Sequence, residues 1–212
     1  MPATSAKRLP GRPRSDAART AVLEAAARLL DEVGFSRLTM EGIAARAKVG
    51  KATVYRWWPS KGAVAVEAFL TAISPKVAFP CTDSAVADVT TQMLRLAEAY
   101  RGANGRIVSE LIALGQADPE ILAAFVDGYM VPRRDAAKAA LGRGVAAGEI
   151  RADVDPDLMV DALYAPIFHR MLLRHQPLDD AFVRRLAALV FSALAPEQAS
   201  PAGSDGGDDS RS

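Results

Sequence analysis

Cysteine is almost missing from this chain. A single residue, Cys81, among 212 excludes an intramolecular disulfide framework and any cysteine-based zinc cluster. A reducing cytoplasm is the expected setting, and a lone thiol beside Pro80 in a linker is expected to be inert. Histidine is nearly as scarce: His169 and His175 are the two in the chain, and neither has an obvious nucleophile partner in sequence. No Gly-rich phosphate loop and no metal-spaced His/Cys set occurs, so the sequence offers no catalytic residue, metal site or cofactor site, and an enzyme is not expected. Asp153, Asp155 and Asp157 alternate as in a calcium loop but lack its glycine and closing glutamate, which leaves helix capping as their reading. Half of the residues are apolar, ample for a core, yet no run approaches the roughly 18–20 uninterrupted apolar residues of a membrane span. The basic, proline-broken N-terminus also lacks the apolar stretch of a secretory signal. No membrane association is expected.

What is present is concentrated in residues 39–61, TMEGIAARAKVGKATVYRWWPSK. Met40, Ile43, Ala44 and Ala47 recur at helical spacing and give a first short helix one apolar face. Thr39 is placed to cap it, and Glu41 in its first turn suits the helix dipole. Lys48-Val49-Gly50 supplies a turn, with the glycine expected to take the sharp reversal. A second helix then carries Val54 and Trp58 inward and leaves Lys51, Thr53, Tyr55 and Arg56 on its outer surface, until Pro59 stops it. A helix anchored on its apolar side and offering cationic, phenolic and hydroxyl groups on the other is what DNA-groove recognition requires. Charge points the same way. Residues 1–62 hold 12 Lys/Arg against 5 Asp/Glu, while the other 150 hold 14 against 20. The overall charge of +1 therefore hides a basic module joined to an acidic one, with nucleic acid expected at the basic end.

The rest of the chain reads as all-α, with no convincing strand. Residues 1–14 form a flexible basic arm in which Arg12 and Arg14 are placed to reach phosphates or a minor groove. Ser15 caps a helix to about Val33, with Val22, Ala26, Leu29, Leu30 and Val33 on one face and Gly34 ending it. Phe35 and Leu38 plug the corner against the next two helices, completing a helix-turn-helix domain over 15–60. Ser60 caps a further helix to about Ile73. Lys61 falls in its first turn, where the dipole disfavours a cation and an external phosphate would resolve the conflict. Helices are predicted near 84–101, 105–116, 119–147 with a bend at Pro132, 156–175 with a kink at Pro166, and 179–195. Residues 61–195 thus make a C-terminal helical domain for effector binding and dimerisation, and 196–212 a disordered tail.

The segment from about Arg12 to Leu70 resembles the DNA-binding domain of the TetR family of bacterial transcriptional repressors. The resemblance is carried by Thr39-Met40-Glu41-Gly42-Ile43-Ala44, by Val49-Gly50-Lys51-Ala52-Thr53-Val54-Tyr55-Arg56-Trp57-Trp58, and by Ser60-Lys61. It implies a homodimer whose N-terminal domains read successive major grooves of a palindromic double-stranded operator. It also implies that Thr53, Tyr55 and Lys61 contact phosphates, that Thr39 supplies the hydroxyl starting the second helix, and that Lys51 and Ala52 approach bases. Arg56 and Trp57 stand where members of the family differ. Ala52 is small and touches at most a thymine methyl, which shifts direct readout to Lys51 and Arg56.

The resemblance further implies a pocket for a small-molecule effector among the C-terminal helices. The candidates from the sequence are Met93, Tyr100, Phe125, Tyr129, Tyr164 and Phe168, with the tyrosines favoured because a buried phenol needs a partner that a ligand could provide. Arg95, Arg101 and Arg106 are expected to face solvent, and His169 to be a satisfied core or interface residue. Phe182, Leu186, Leu189, Val190 and Ala193, widened by Val183, Phe191 and Leu194, give the last helix more apolar surface than one chain needs, so it is expected to pair subunits. The function expected is that of a homodimeric repressor released by a largely apolar effector. The alternative is an architectural DNA-binding protein without an effector.

Overall fold

The computed structural model describes residues 12–196, with side chains described from Asp16 onward, and these residues contain no strand. The first helix, α1 (Arg12–Arg37), is broken at Gly34. There the backbone takes φ 75° and ψ 171°, a conformation essentially restricted to glycine. The regular helix thus ends at Val33, as the periodicity predicts. The turn that follows drives Phe35 and Leu38 into the corner, each only 2% exposed. The N-terminal boundary differs from expectation. Because α1 begins at Arg12, Ser15 lies inside the helix and does not cap it. Residues 1–11 of the predicted arm and residues 197–212 of the predicted tail lie outside the described residues.

In α2 (Met40–Ala47) the hydroxyl of Thr39 accepts the Gly42 N–H at 3.0 Å, and Met40, Ile43 and Ala44 are buried. The turn to α3 (Lys51–Trp57) departs from the sequence reading in one respect. Lys48, not Gly50, takes the left-handed conformation (φ 55°, ψ 40°). Gly50 is extended (φ −67°, ψ 143°) and serves as the residue before α3. Two carbonyls at the end of α2 explain why Lys48 bends, since its N–H reaches back to those of Ala44 and Ala45. Val54 and Trp58 are buried, as their spacing predicts.

The fourth helix, α4 (Lys61–Ile73), starts at Ser60, whose hydroxyl accepts the Ala63 N–H at 3.2 Å. Its buried side chains, among them Val64, Ala65, Ala68 and Phe69, are apolar on more than one side because the helix packs both on α1 and on α7. A 3-10 turn (Ser74–Val77) leads through a short extended segment to α5 (Ala85–Tyr100) and α6 (Ala103–Gly115). The long predicted helix at 119–147 is three pieces: α7 (Pro119–Phe125), a π-helical turn (Val126–Met130) and α8 (Val131–Ala146). Pro132 cannot donate to the ladder, and the wider turn just before it absorbs the lost bond. The helices α9 (Pro156–Leu173), running uninterrupted through Pro166, and α10 (Asp180–Ala193) complete the fold. Asp155 caps α9 by accepting the Asp157 N–H at 2.9 Å, the capping role expected of that acidic run.

The buried apolar side chains form one continuous cluster from α1 to α10. Two carboxylates pin the α5 end of it. Asp88, only 1% exposed, accepts the Thr82 hydroxyl at 2.7 Å and the Arg143 guanidinium at 2.9 Å. Glu149 reaches back from beyond α8 to accept the Ser84 hydroxyl at 2.7 Å and the Ala85 N–H at 2.9 Å. A carboxylate at a helix N-terminus satisfies donors that the helix leaves free.

Candidate nucleic-acid interface and ligand cavity

The outer face of α3 is held by contacts within the helix-turn-helix and from α4 beneath it. Trp58 is buried beneath it and donates its indole N–H to Glu67 of α4 at 2.6 Å, while Arg19 of α1 pairs with the same carboxylate. Trp57 stands edge-on to Trp58, ring centroids 5.5 Å apart, and Arg56 lies 5.2 Å from the Trp57 ring. Lys51 is exposed, ion-paired with Glu41 across the turn, and 5.7 Å from the Tyr55 ring. Tyr55 is 44% exposed, and Ala52 is exposed beside it with Thr53 half-buried. The structure therefore brings Lys51, Ala52, Tyr55 and Arg56 onto one accessible helix.

Two sequence candidates do local structural work as well. Thr39 spends its hydroxyl oxygen on the α2 cap. Lys61 donates to the Phe35 carbonyl at 3.2 Å and sits 4.5 Å from that residue's ring. The cation in the first turn of α4, expected to await an external phosphate, thus already has a carbonyl and an aromatic face. The same corner is gripped from the far side: the Phe35 N–H donates to Glu110 of α6 at 2.8 Å. Nothing in the local sequence signals Glu110, which is 75 residues away.

The second site is a cavity of about 360 Å³ between α5, α8 and α9, roofed by Phe79 of the segment before α5. Such a volume falls at the lower end of the range of small-molecule sites. Tyr100, Tyr164 and Phe168 line it, as do Gln92, Leu96, Met130, Ala137 and Val160. The remaining three candidates do not. Met93, Phe125 and Tyr129 are at most 3% exposed and are absent from the wall; the π-helical turn carries Tyr129, which packs on Phe125 (centroids 5.1 Å) and on Phe69 of α4 (5.4 Å). Tyr129 still bears on the cavity indirectly, since its hydroxyl is hydrogen-bonded to that of Tyr100. Tyr164 donates to Gln92 at 2.6 Å, and Gln92 in turn donates to the Val77 carbonyl at 3.2 Å.

Burial raises the Tyr100 hydroxyl well above its ordinary pKa, and it raises those of Tyr129 and Tyr164 too. All three phenols are therefore neutral at physiological pH. The cations of the wall are Arg133 and Arg134, which sequence reasoning passed over. Arg134 is engaged by Asp157, at 2.7 Å, and by Asp161. Arg133 lies with its guanidinium 4.5 Å from the Tyr129 ring. A signal for it existed, because Arg133 stands four residues after Tyr129 and shares its helical face. His169 is exposed at the cavity rim and stacks near His175, centroids 4.7 Å apart. Of the expected core or interface placement, the core half is therefore excluded within one chain. Arg95, Arg101 and Arg106 are exposed.

Among the described residues no group of three acidic, histidine or cysteine side chains is arranged to hold a metal ion. No helix among them is long and apolar enough to cross a membrane. The terminal helix divides its apolar residues. Val183, Ala187 and Leu194 are buried within the chain, Leu186 and Val190 are half-buried, and Leu189 is 70% exposed.

Comparison with known proteins places this geometry. Residues 22–68 match the family described as "Bacterial regulatory proteins, tetR family", and residues 79–190 match "Tetracyclin repressor-like, C-terminal domain". The chain is 38% identical over 184 residues to the uncharacterized HTH-type transcriptional regulator YdeS of Bacillus subtilis (strain 168), covering 87% of this chain and 93% of that one. It is 30% identical over 184 residues to the DNA-binding transcriptional repressor TetR of Mycobacteroides abscessus (85% and 95% covered). Among solved structures, the TetR family transcription regulator SCO0332 superposes with a TM-score of 0.77 at 37% identity, covering 84% of this chain and 99% of that one. Both family domains occur in their usual order, and the relatives match over nearly their whole length. The chain belongs to the TetR family of helix-turn-helix transcriptional regulators, DNA-binding proteins rather than enzymes.

Proposed function

We propose that the chain is a homodimeric repressor that leaves a palindromic operator when a small, largely apolar effector enters the α5–α8–α9 cavity. One observation carries the effector part of this reading: the cavity wall and the DNA-contacting unit share a packed seam. Tyr100 of the wall is bonded to Tyr129, Tyr129 packs on Phe69, and Phe69 belongs to the helix that begins with Ser60 and Lys61. A ligand that displaces Tyr100 thereby bears on α4 and on the spacing of the two α3 helices in the dimer, which must match a groove repeat of roughly 34 Å. The likeness to a named repressor supports the direction of control. In this reading Tyr55, Thr53 and Lys61 hold phosphates, while Lys51 and Arg56 read bases, with Lys51 first released from Glu41. Subunits pair through α9 and α10, where Leu189 stands exposed.

The test is operator titration by fluorescence anisotropy, on an operator selected from random duplex DNA, at several salt concentrations. Lys61→Ala is expected to weaken all sequences alike and lower the salt slope by about one unit, whereas Lys51→Ala relaxes choice at particular base pairs. Leu189→Asp, which places like charges at a two-fold contact, is expected to yield monomers by light scattering with poor operator binding. Equal losses on operator and random DNA for both lysine variants would refute the division of roles. A protein that prefers no sequence and responds to no small molecule would favour the architectural alternative.

A further inference from the structure

The cavity contains one charge that the fold does not use. The Arg133 Nε is out of contact with solvent and has no hydrogen-bond partner. Among the described residues Arg133 forms no ion pair, and its guanidinium rests only on the Tyr129 ring. Its neighbour shows what a structural arginine looks like here: Arg134 is saturated by Asp157 and Asp161. Asp161 also reaches the cavity wall, but Arg134 already holds it. The Nε itself is sealed from the cavity; a ligand reaches the part of Arg133 that lines the wall, and that guanidinium has no carboxylate to pair with among the described residues.

The phenols add a second donor. In the Tyr100–Tyr129 pair either hydroxyl can donate, so one hydroxyl hydrogen remains unspent. Tyr129 is enclosed, whereas Tyr100 faces the cavity. If Tyr129 donates to Tyr100, the Tyr100 O–H points at the ligand. Tyr164 has given its hydrogen to Gln92, and so offers only an acceptor. With that hydroxyl orientation the cavity presents a cation without a carboxylate partner and one phenolic donor, beside Gln92, the rim residue His169 and the mutually paired Arg134 and Asp161.

We propose that the effector is an organic carboxylate: an apolar aliphatic or aromatic body with one anionic head, the head paired with Arg133 and bonded by the Tyr100 hydroxyl. This rests on the reading of the cavity as the effector site. A planar guanidinium beside a donor hydroxyl matches a carboxylate, and charge-assisted bonds of this kind are about twice as strong as neutral ones. An amine of the same body would set like charges together.

Matched probes separate head from body: decanoate, decanol and decylamine, and phenylpropanoate, phenylpropanol and phenylpropylamine. Binding to the full chain is followed by calorimetry and thermal shift at neutral pH, together with operator release. The expected order is acid, then alcohol, then amine, with the acid ahead by on the order of tenfold or more. Arg133→Met, which keeps the apolar stem, is expected to abolish that preference while leaving alcohol binding unchanged. Arg133→Gln serves the same purpose where the methionine variant does not fold. Alcohol binding as tight as acid binding in the unmodified protein would overturn the carboxylate proposal and leave the cavity reading standing, as would an acid preference that survives both substitutions. No binding by any of the six probes would overturn both.

Discussion

On α3 the exposed side chains lean on neighbours close in the chain, whereas the cavity wall assembles residues from Phe79 to Leu172. Lys51 meets Glu41 and Tyr55, and Arg56 meets Trp57. Each contact spans ten residues or fewer. Such a surface is fixed once two short helices and their turn exist. The cavity instead depends on how closely α5, α8 and α9 approach, so packing changes that barely touch the first region deform the second. The difference predicts where the molecule is fragile.

The largest expected effect comes from Gly105→Ala. At this position a methyl group would run into the backbone carbonyl of Tyr100, which cannot rotate away as a side chain would. The α5–α6 junction must open, and Tyr100 moves with it. A loss of about 3 kcal/mol is expected, the upper end of overpacking costs, read as a lower midpoint in urea unfolding. Effector response is expected to disappear with it. A variant of unchanged midpoint would show that the cavity side is no more tightly set than the α3 side.

Glu110→Ala addresses the seam between the regions. It deletes the acceptor of the Phe35 N–H at a half-buried corner, while Gly34 beside it keeps its special backbone. A charged hydrogen bond of this kind is worth about 1.5 kcal/mol. If the seam transmits the effector signal, the variant also binds operator with a weaker effector response. A purely thermal loss with full response would confine Glu110 to stability.

Acid sharpens the comparison in another way. Burial alone would raise the Asp88 carboxyl, but the bonds from Thr82 and Arg143 outweigh it and leave its pKa below the ordinary carboxylate value. The Ser84 hydroxyl and the Ala85 N–H likewise lower that of Glu149. A depressed folded-state pKa means stability that is complete above the unfolded-chain value, about 4, and lost as pH falls through the folded value. Thermal scans from pH 6 to pH 2 are thus expected to show a steep acid loss that the pair Asp88→Asn and Glu149→Gln flattens. An unchanged slope would place the acid-sensitive carboxylates elsewhere.

The same contrast decides what could be read from sequence. Helix periodicity, the Thr39 and Ser60 caps and the buried pair Val54 and Trp58 are set within one or two turns of chain, and each stands where its spacing places it. The cavity was half legible. Tyr100, Tyr164 and Phe168 reach it, but apolar and aromatic character alone could not separate them from Met93, Phe125 and Tyr129, which are buried behind the wall, Tyr129 turned toward Phe125 and Phe69. Arg133 was missed for the opposite reason: despite its spacing from Tyr129, a charged residue at a proline-marked bend reads as solvated surface until α5 and α9 meet α8 around the cavity. Glu110 and Glu149 act across long sequence separations, and no local pattern reports that.

The smallest effect lies in the turn that the sequence misread. Lys48 carries the left-handed conformation (φ 55°), and Gly50, where glycine content points to the reversal, is extended (φ −67°). A left-handed backbone costs a side-chain-bearing residue roughly 1–2 kcal/mol, part of which glycine returns as greater freedom in the unfolded chain. Lys48→Gly is therefore expected to raise stability by about 0.5 kcal/mol. Gly50→Ser, at an extended position before a helix where serine is a favoured cap, is expected to change it by no more than a few tenths. The two belong in one experiment, paired denaturant curves on the same day. Stabilisation by the first and near-neutrality of the second would confirm which residue makes the reversal between α2 and α3. A marked loss from Gly50→Ser with no gain from Lys48→Gly would return the strained position to Gly50.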